Sequence, residues 1–218
     1  MKSLSTENLQ KYYGEDLDFN ALQLERYLKA AALLKSKFGS EKPSFFRAPG
    51  RVNLIGEHTD YNGYPVMPMA INRDTLFAVT PRKDNQVKIA NTISGFADRD
   101  FFIQDTIEHY PTGDWGNYVK AAVVGLLPIV KKKTDNVVGF EAAVSGTVPP
   151  AGGLSSSSAL VVASALVFLW VNKVELSKIE LADILAKAER YVGTEGGGMD
   201  QAISLMGEYR KALKINFF

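Results

Sequence analysis

The sequence predicts an α+β fold, because helix-like and strand-like segments are mixed in it without a regular βαβ alternation. Three observations carry this expectation. Residues 19–37 place Leu24, Tyr27, Leu28, Ala31 and Leu34 at helical spacing, and Gly39 follows as a stop signal. Residues 137–147 alternate instead, with Val138, Phe140, Ala142 and Val144 on one side and Gly139, Glu141, Ala143 and Ser145 on the other, which is the pattern of a half-buried strand. Between them lie short strand candidates at 43–48, 51–56, 75–80, 87–92 and 99–103, punctuated by proline and glycine.

The remaining elements follow in order. Residues 115–132 read as a helix, with Pro128 a kink or an end signal. A Pro/Gly turn at 149–153 leads into an apolar run from Ala159 to Val171. That run is 13 residues long, short of the ~20 that span a bilayer, and fits a buried core helix. Ser177 and Glu180 form a capping-box pattern that opens another helix to about Val192, with Leu181, Ile184, Leu185 and Ala188 on its core face. The glycine run 196–198 precedes a short helix at 199–206, and 212–217 reads as a final strand. A sequence that stops inside a strand is expected to be part of a longer chain.

Composition narrows the function classes. Hydrophobic residues make up 46% and charged residues 22% of the 218, an ordinary balance for a soluble globular chain. The net charge of +1 points neither to nucleic acid nor to an acidic membrane surface, and the densest basic run, Lys131 to Lys133, reads as a solvated helix end. With no cysteine there is no disulfide, thiol catalysis or cysteine-ligated zinc. The first 30 residues carry Glu7, Glu15, Asp16 and Asp18 and no apolar signal core, so a cytoplasmic location is expected. His58 and His109 show no metal-ligand spacing, and His109 receives no role.

Three constellations carry chemistry. From Ala48 to Tyr61, Arg51, Glu57, His58 and Asp60 cluster around a short apolar strand and loop. Such a set of fixed donors and acceptors suits a polyhydroxylated ligand, and Arg51 could stabilise phosphoryl charge; an ordinary turn with surface ion pairs would look the same. From Pro149 to Ala159, two glycines and four serines open the apolar helix. A helix N-terminus is a natural anion site, and four serines exceed what capping alone needs. From Glu189 to Gln201, three glycines place Asp200 at a helix start, where a carboxylate stays ionised as a base or ion ligand requires. Taken alone, Asp200 could be a plain N-terminal helix residue, and Glu189 reads as a solvated position at the edge of an apolar helix face. No Gly-x-x-x-x-Gly-Lys-Ser/Thr and no Gly-x-Gly-x-x-Gly occurs, so a nucleotide site here must be built in another way.

Together these stretches resemble the galactokinase family, within the superfamily that also phosphorylates homoserine, mevalonate and phosphomevalonate. Gly50 to Tyr61 is similar to its signature, Pro149 to Ala159 to the superfamily's phosphate-binding motif, and Gly198 to Gln201 to the loop carrying its catalytic aspartate. The resemblance covers about residues 35–218, in the expected order. It implies the family's N-terminal domain, a mixed β-sheet backed by helices, with residues 1–40 as an N-terminal helical segment and 41–218 as the sugar- and ATP-binding part. It further implies Asp200 as the base at the anomeric hydroxyl and in contact with the sugar, Arg51 beside it on the phosphoryl group, and Glu57, His58 and Asp60 on sugar hydroxyls. Gly152, Gly153, Leu154, Ser155, Ser156 and Ser157 would cradle the ATP phosphates, and Ser157 and Glu189 would bind Mg²⁺. The implied activity is phosphorylation of galactose at O1. The serine run and the Glu189–Gln201 stretch are similar to the N-acetylgalactosamine kinase branch, which makes that sugar the alternative substrate, and a non-catalytic sugar/ATP sensor is the other alternative. Many galactokinases have Gly-Ile where this chain has Gly197-Gly198. Family members continue into a second domain with a third glycine-rich motif, so this stretch alone is expected to show little activity. Monomers, without nucleic-acid or membrane partners, are the default expectation.

Overall fold

The computed structural model describes residues 4–56 and 59–217. Two helices, α1 (Thr6–Tyr13) and α2 (Leu17–Phe38), precede strands β1 (Ser44–Asn53), β2 (Pro68–Pro81), β3 (Gln86–Asn91) and β4 (Arg99–Phe102). Helix α3 (Gly116–Lys133), strand β5 (Phe140–Gly146) and helices α4 (Ser156–Val171), α5 (Lys178–Ala188) and α6 (Met199–Met206) follow. The sheet order is β1-β2-β5-β3-β4. All neighbours are antiparallel except β3 and β5, which run parallel and are therefore joined by a crossover that includes α3. This is the mixed sheet backed by helices that the sequence led one to expect.

Both faces of the sheet are covered. Successive strand residues point to opposite sides, so Phe77, Val79, Phe140, Ala142 and Val144 enter one core with α3 to α6, while Leu76, Ala78 and Ala143 enter a second with α1 and α2. The reading of 137–147 as half-buried is thus corrected: β5 lies at the centre of the sheet, and Ala143 on its second face is as buried as Ala142 on its first. Helix α4 is apolar almost all round because it packs against both the sheet and α3.

Other differences have local causes. The two expected strands 43–48 and 51–56 form one strand, β1, with a register shift between Pro49 and Arg51; β1 is at the sheet edge, where a proline costs no ladder bond. Pro128 does not end α3, which runs on to Lys133. Pro128 is exposed, and buried residues on both sides of it, from Val119 to Val130, hold the two halves against the core. The helix that starts at the Ser177–Glu180 capping box ends at Ala188 and continues as a short 3-10 turn, Glu189–Val192. The last segment makes only isolated bridges, Ala212 to Met69 and Ile215 to Val66, in place of a regular strand. Among the described residues no helix is long and apolar enough to cross a membrane.

Candidate active site

The site forms where β1 ends, where the loop after β5 enters α4, and where α6 begins. Gly50 makes the first junction possible. A Cβ there would lie 2.6 Å from the Leu154 carbonyl oxygen and 2.9 Å from Val148 Cγ1, so only glycine lets the 148–154 loop close onto β1. The Arg51 N–H then donates to the Leu154 carbonyl at 3.1 Å.

The Arg51 side chain fastens the second junction. Its Nε and Nη2 donate to Asp200 Oδ1 and Oδ2 at 2.7 and 3.0 Å, a forked pair, and its Nη1 donates to the Gly153 carbonyl at 2.6 Å. The Ser155 hydroxyl also donates to Asp200 Oδ2. Ser155 caps α4 with φ 58°, ψ 44°, a left-handed conformation that is unusual for a residue with a side chain. Such strain costs about 1–3 kcal/mol and collects at functional sites; here it accompanies the contact of Ser155 with Asp200. Asp200 lies in the first turn of α6, after Gly198.

Glu189 is not solvated, and this corrects the bland sequence reading. It is 4% exposed, accepts a hydrogen bond from Gln201 Nε2 at 2.7 Å, and is hydrogen-bonded to Ser158. Burial pushes its carboxyl above the ordinary range, Ser158 and Gln201 pull it part of the way back, and the nearby Asp200 carboxylate adds to the rise. Among the described residues no ion pair engages it.

Asp60 opens a short 3-10 turn, Asp60–Asn62. Its Oδ2 accepts the Gly197 N–H at 3.1 Å, and a Cβ on Gly197 would sit 2.4 Å from the Asp60 carbonyl carbon. The glycine run is thus what lets the loop before Asp200 lie against the Asp60 turn. Glu57 and His58 lie outside the described residues.

An open cleft of about 810 Å³ runs beside these groups. Gly152, Gly153, Leu154, Ser155, Ser156, Ser157, Arg51 and Asp200 line it, together with Ile93, Phe96, Trp115 and Tyr118. Polar backbone and hydroxyl groups in one cleft with aromatic side chains suit a ligand with an anionic part and a flat apolar part. Sequence reasoning missed the aromatic wall, and it missed Ser158 and Gln201, the partners of Glu189. Phe96 and Trp115 each follow a glycine by one or two residues, a faint signal of loop aromatics. His109 gains a structural part: its ring stacks on Tyr191 at 3.8 Å, its Nε2 donates to the Tyr191 carbonyl at 2.6 Å, and the Tyr191 hydroxyl donates to the Ile107 carbonyl at 2.8 Å. These contacts tie the 105–115 loop to the turn that carries Glu189.

Comparison with known proteins identifies relatives of the chain and of its fold. Residues 32–81 match the galactokinase galactose-binding signature, and residues 117–208 match the N-terminal domain of GHMP kinases. Galactokinase of Candida parapsilosis is 41% identical over 205 residues, covering 88% of this chain and 39% of that protein. The galactokinase sequence of Candida maltosa is 37% identical, covering 88% of this chain and 91% of its own length. The crystal structure of Lactococcus lactis galactokinase complexed with galactose superposes with a TM-score of 0.79 at 31% identity, over 89% of this chain and 49% of that one. Methanococcus jannaschii mevalonate kinase, at 18% identity and a TM-score of 0.67, shares the fold. The chain spans about two fifths of the length of the first curated relatives it matches.

Proposed function

Because the chain belongs to the galactokinase family, we propose that the whole protein transfers the γ-phosphoryl group of ATP to the anomeric oxygen of galactose, giving galactose 1-phosphate and ADP. The observation that carries this reading is the Arg51–Asp200 fork set beside the N-terminus of α4. Phosphoryl transfer asks a protein for positioning, charge neutralisation and one proton acceptor. Asp200 accepts the proton of the O1 hydroxyl as oxygen attacks the γ-phosphorus and the bond to the β-phosphate oxygen breaks. Arg51 faces both the base and the phosphate loop, so its guanidinium can follow charge onto the transferring group. Gly152, Gly153, Leu154 and Ser155 to Ser157 cradle the phosphates with backbone N–H groups and hydroxyls.

The residues present also fit Mg²⁺. Glu189 is a buried carboxylate without a cationic partner among the described residues, pushed toward its protonated form beside a second carboxylate. Magnesium favours one or two carboxylates together with phosphate oxygens, and Glu189 with Ser157 would hold it, while Ser158 and Gln201 orient the Glu189 carboxyl. Bound there, it would neutralise charge on the β- and γ-phosphates. Glu57, His58 and Asp60 are assigned to sugar hydroxyls. A monomer acting in the cytoplasm, without nucleic-acid or membrane partners, is the accompanying proposal.

The experiment is an ADP-release assay of the full-length protein with galactose, N-acetylgalactosamine and mevalonate as acceptors. Turnover with galactose well above the other two is the expected result. N-acetylgalactosamine as the best acceptor would move the protein to the alternative substrate, and sugar binding without turnover would make it a sensor.

A further inference from the structure

A buried polar cluster outside the cleft touches the root of the phosphate loop. Asp74 on β2 is 0% exposed. Its carboxylate accepts hydrogen bonds from the Tyr13 hydroxyl at 2.6 Å and from the guanidinium groups of Arg26 and Arg47. These groups come from α1, α2 and β1. Two guanidiniums on one carboxylate leave a formal excess of one positive charge. Burial works against the Asp74 carboxylate, and Arg47 and Arg26 overcome it, holding the carboxyl below its ordinary range.

Thr147 connects this cluster to the site. It follows β5 directly and stands just before the 148–154 loop. The Thr147 N–H donates to the Asp74 carbonyl at 2.9 Å. The Thr147 hydroxyl accepts from the Asp74 N–H at 3.0 Å and from Arg26 Nη1 at 2.8 Å, and donates to the Asp74 carbonyl at 3.2 Å. A hydroxyl has one donor and two acceptor sites, so its capacity is filled. Thr147 and its neighbour Val148 also line the cleft, and Val148 packs against Gly50. The point where the loop leaves the sheet is therefore pinned from α2, on the sheet face opposite α4.

We propose that Thr147, held by Arg26 and Asp74, is a positioning residue for the phosphate loop, through which α2 sets nucleotide affinity. The inference rests on the reading of the 149–157 loop as the nucleotide site. A purely structural role would lower stability without separating the two ligands. A positioning role acts on the nucleotide, because the loop that Thr147 roots is the one assigned to phosphate, and because the excess positive charge lies one hydrogen bond behind the cleft wall.

The test uses the full-length protein and calorimetry with a non-hydrolysable ATP analogue and, separately, with galactose. Thr147→Val keeps the shape and removes the hydroxyl, leaving the Asp74 N–H and the Arg26 donor unpaired there. The analogue should bind about tenfold more weakly, galactose affinity should stay within twofold (roughly 0.4 kcal/mol), and Thr147→Ser should restore the analogue. Arg26→Lys, which keeps the charge and loses the forked reach to Thr147 and Asp74, should shift the analogue in the same direction, and it carries the test if Thr147→Val does not fold by circular dichroism. Unchanged analogue affinity, equal losses for both ligands, or failure of the serine variant to restore binding would overturn the inference. A wild-type protein that does not bind the analogue would instead overturn the nucleotide-site reading beneath it.

Discussion

Gly50→Ala tests the closure of the phosphate loop onto β1. Gly50 does not have a positive φ, so alanine brings no backbone strain and the whole effect comes from one methyl group. That methyl would sit 2.6 Å from the Leu154 carbonyl oxygen, where ordinary contact begins at 3.4 Å, and 2.9 Å from Val148 Cγ1. Relief requires the loop to withdraw by 0.8 Å, the difference between the 2.6 and 3.4 Å separations. The withdrawal stretches two bonds at once, from the Arg51 N–H to Leu154 and from Arg51 Nη1 to Gly153. Overpacking of this kind typically costs about 1–3 kcal/mol of stability. A misplacement near 1 Å at a reacting group can cost about 10²-fold in rate. The variant should therefore fold, bind galactose nearly as well as wild type, and lose roughly 10–100-fold in kcat/KM for ATP. Steady-state kinetics with each substrate varied in turn, alongside a melting curve, make the measurement. A kcat/KM for ATP within threefold of wild type would show that the loop's approach to β1 does not matter to catalysis, and the reasoning would fail.

Asp200→Asn keeps size and removes the proton acceptor, so kcat in the full-length protein should fall about 10²–10⁴-fold with sugar binding kept; a loss under tenfold would remove Asp200 as the base. Glu189→Gln should raise the Mg²⁺ concentration needed for half-maximal activity. Its effect on stability has a defined sign: the carboxyl is raised above its ordinary 4.5, so its protonation favours the folded state, fully below 4.5, and that benefit is lost as pH rises through the raised value. The ligand-free variant should consequently melt no lower than wild type at pH 7.5 and gain least at pH 4; the reverse order by calorimetry would contradict a destabilising buried charge. Asp60→Ala, and likewise Glu57→Ala, should weaken galactose roughly tenfold or more while sparing an ATP analogue, and equal losses would indicate misfolding. Residues 1–218 alone should release ADP far more slowly than the full-length protein, and turnover within tenfold of it would show a self-sufficient catalytic unit.

Much of the fold was legible because periodicity and punctuation are local. The helical spacing from Leu24 to Leu34, the Ser177–Glu180 capping box and the glycines before Met199 all mark elements that the structure contains within a few residues. What escaped depends on distant partners. Helix α1 falls within the expected N-terminal helical segment but had no bounds of its own there, since Thr6–Tyr13 buries only Leu9 and Tyr13 and is held in place by a core shared with α2 and the sheet. β5 looked half-buried because its second face shows small residues, Ala143 and Ser145, which read as surface until α2 is laid over them. Pro128 read as a kink or an end signal inside the expected helix 115–132 because its local cost, about 3 kcal/mol, is visible in sequence, whereas the packing that lets α3 run on to Lys133 is not.

The candidate site divides along the same line. Arg51, Asp200 and the serine run could be named from residue type and order, and the structure brings Arg51, Ser155 and Asp200 into direct contact although about 150 residues separate the first from the last. Glu189 shows where residue type misleads. At the end of an amphipathic helix a glutamate is expected in water, yet this one comes four residues after the buried Leu185, on the face that α5 buries, and is enclosed with Gln201 beside it. The helical spacing already puts it beside the core, and only its residue type argues for water. The burial has a chemical consequence: an exposed carboxylate is already solvated by water, while a buried one without a cationic partner is unfavourable as it stands and gains from a cation that enters. The same burial therefore supports the proposal that Glu189 holds Mg²⁺, under which the rise in Mg²⁺ requirement and the stability of the ligand-free Glu189→Gln variant are expected together.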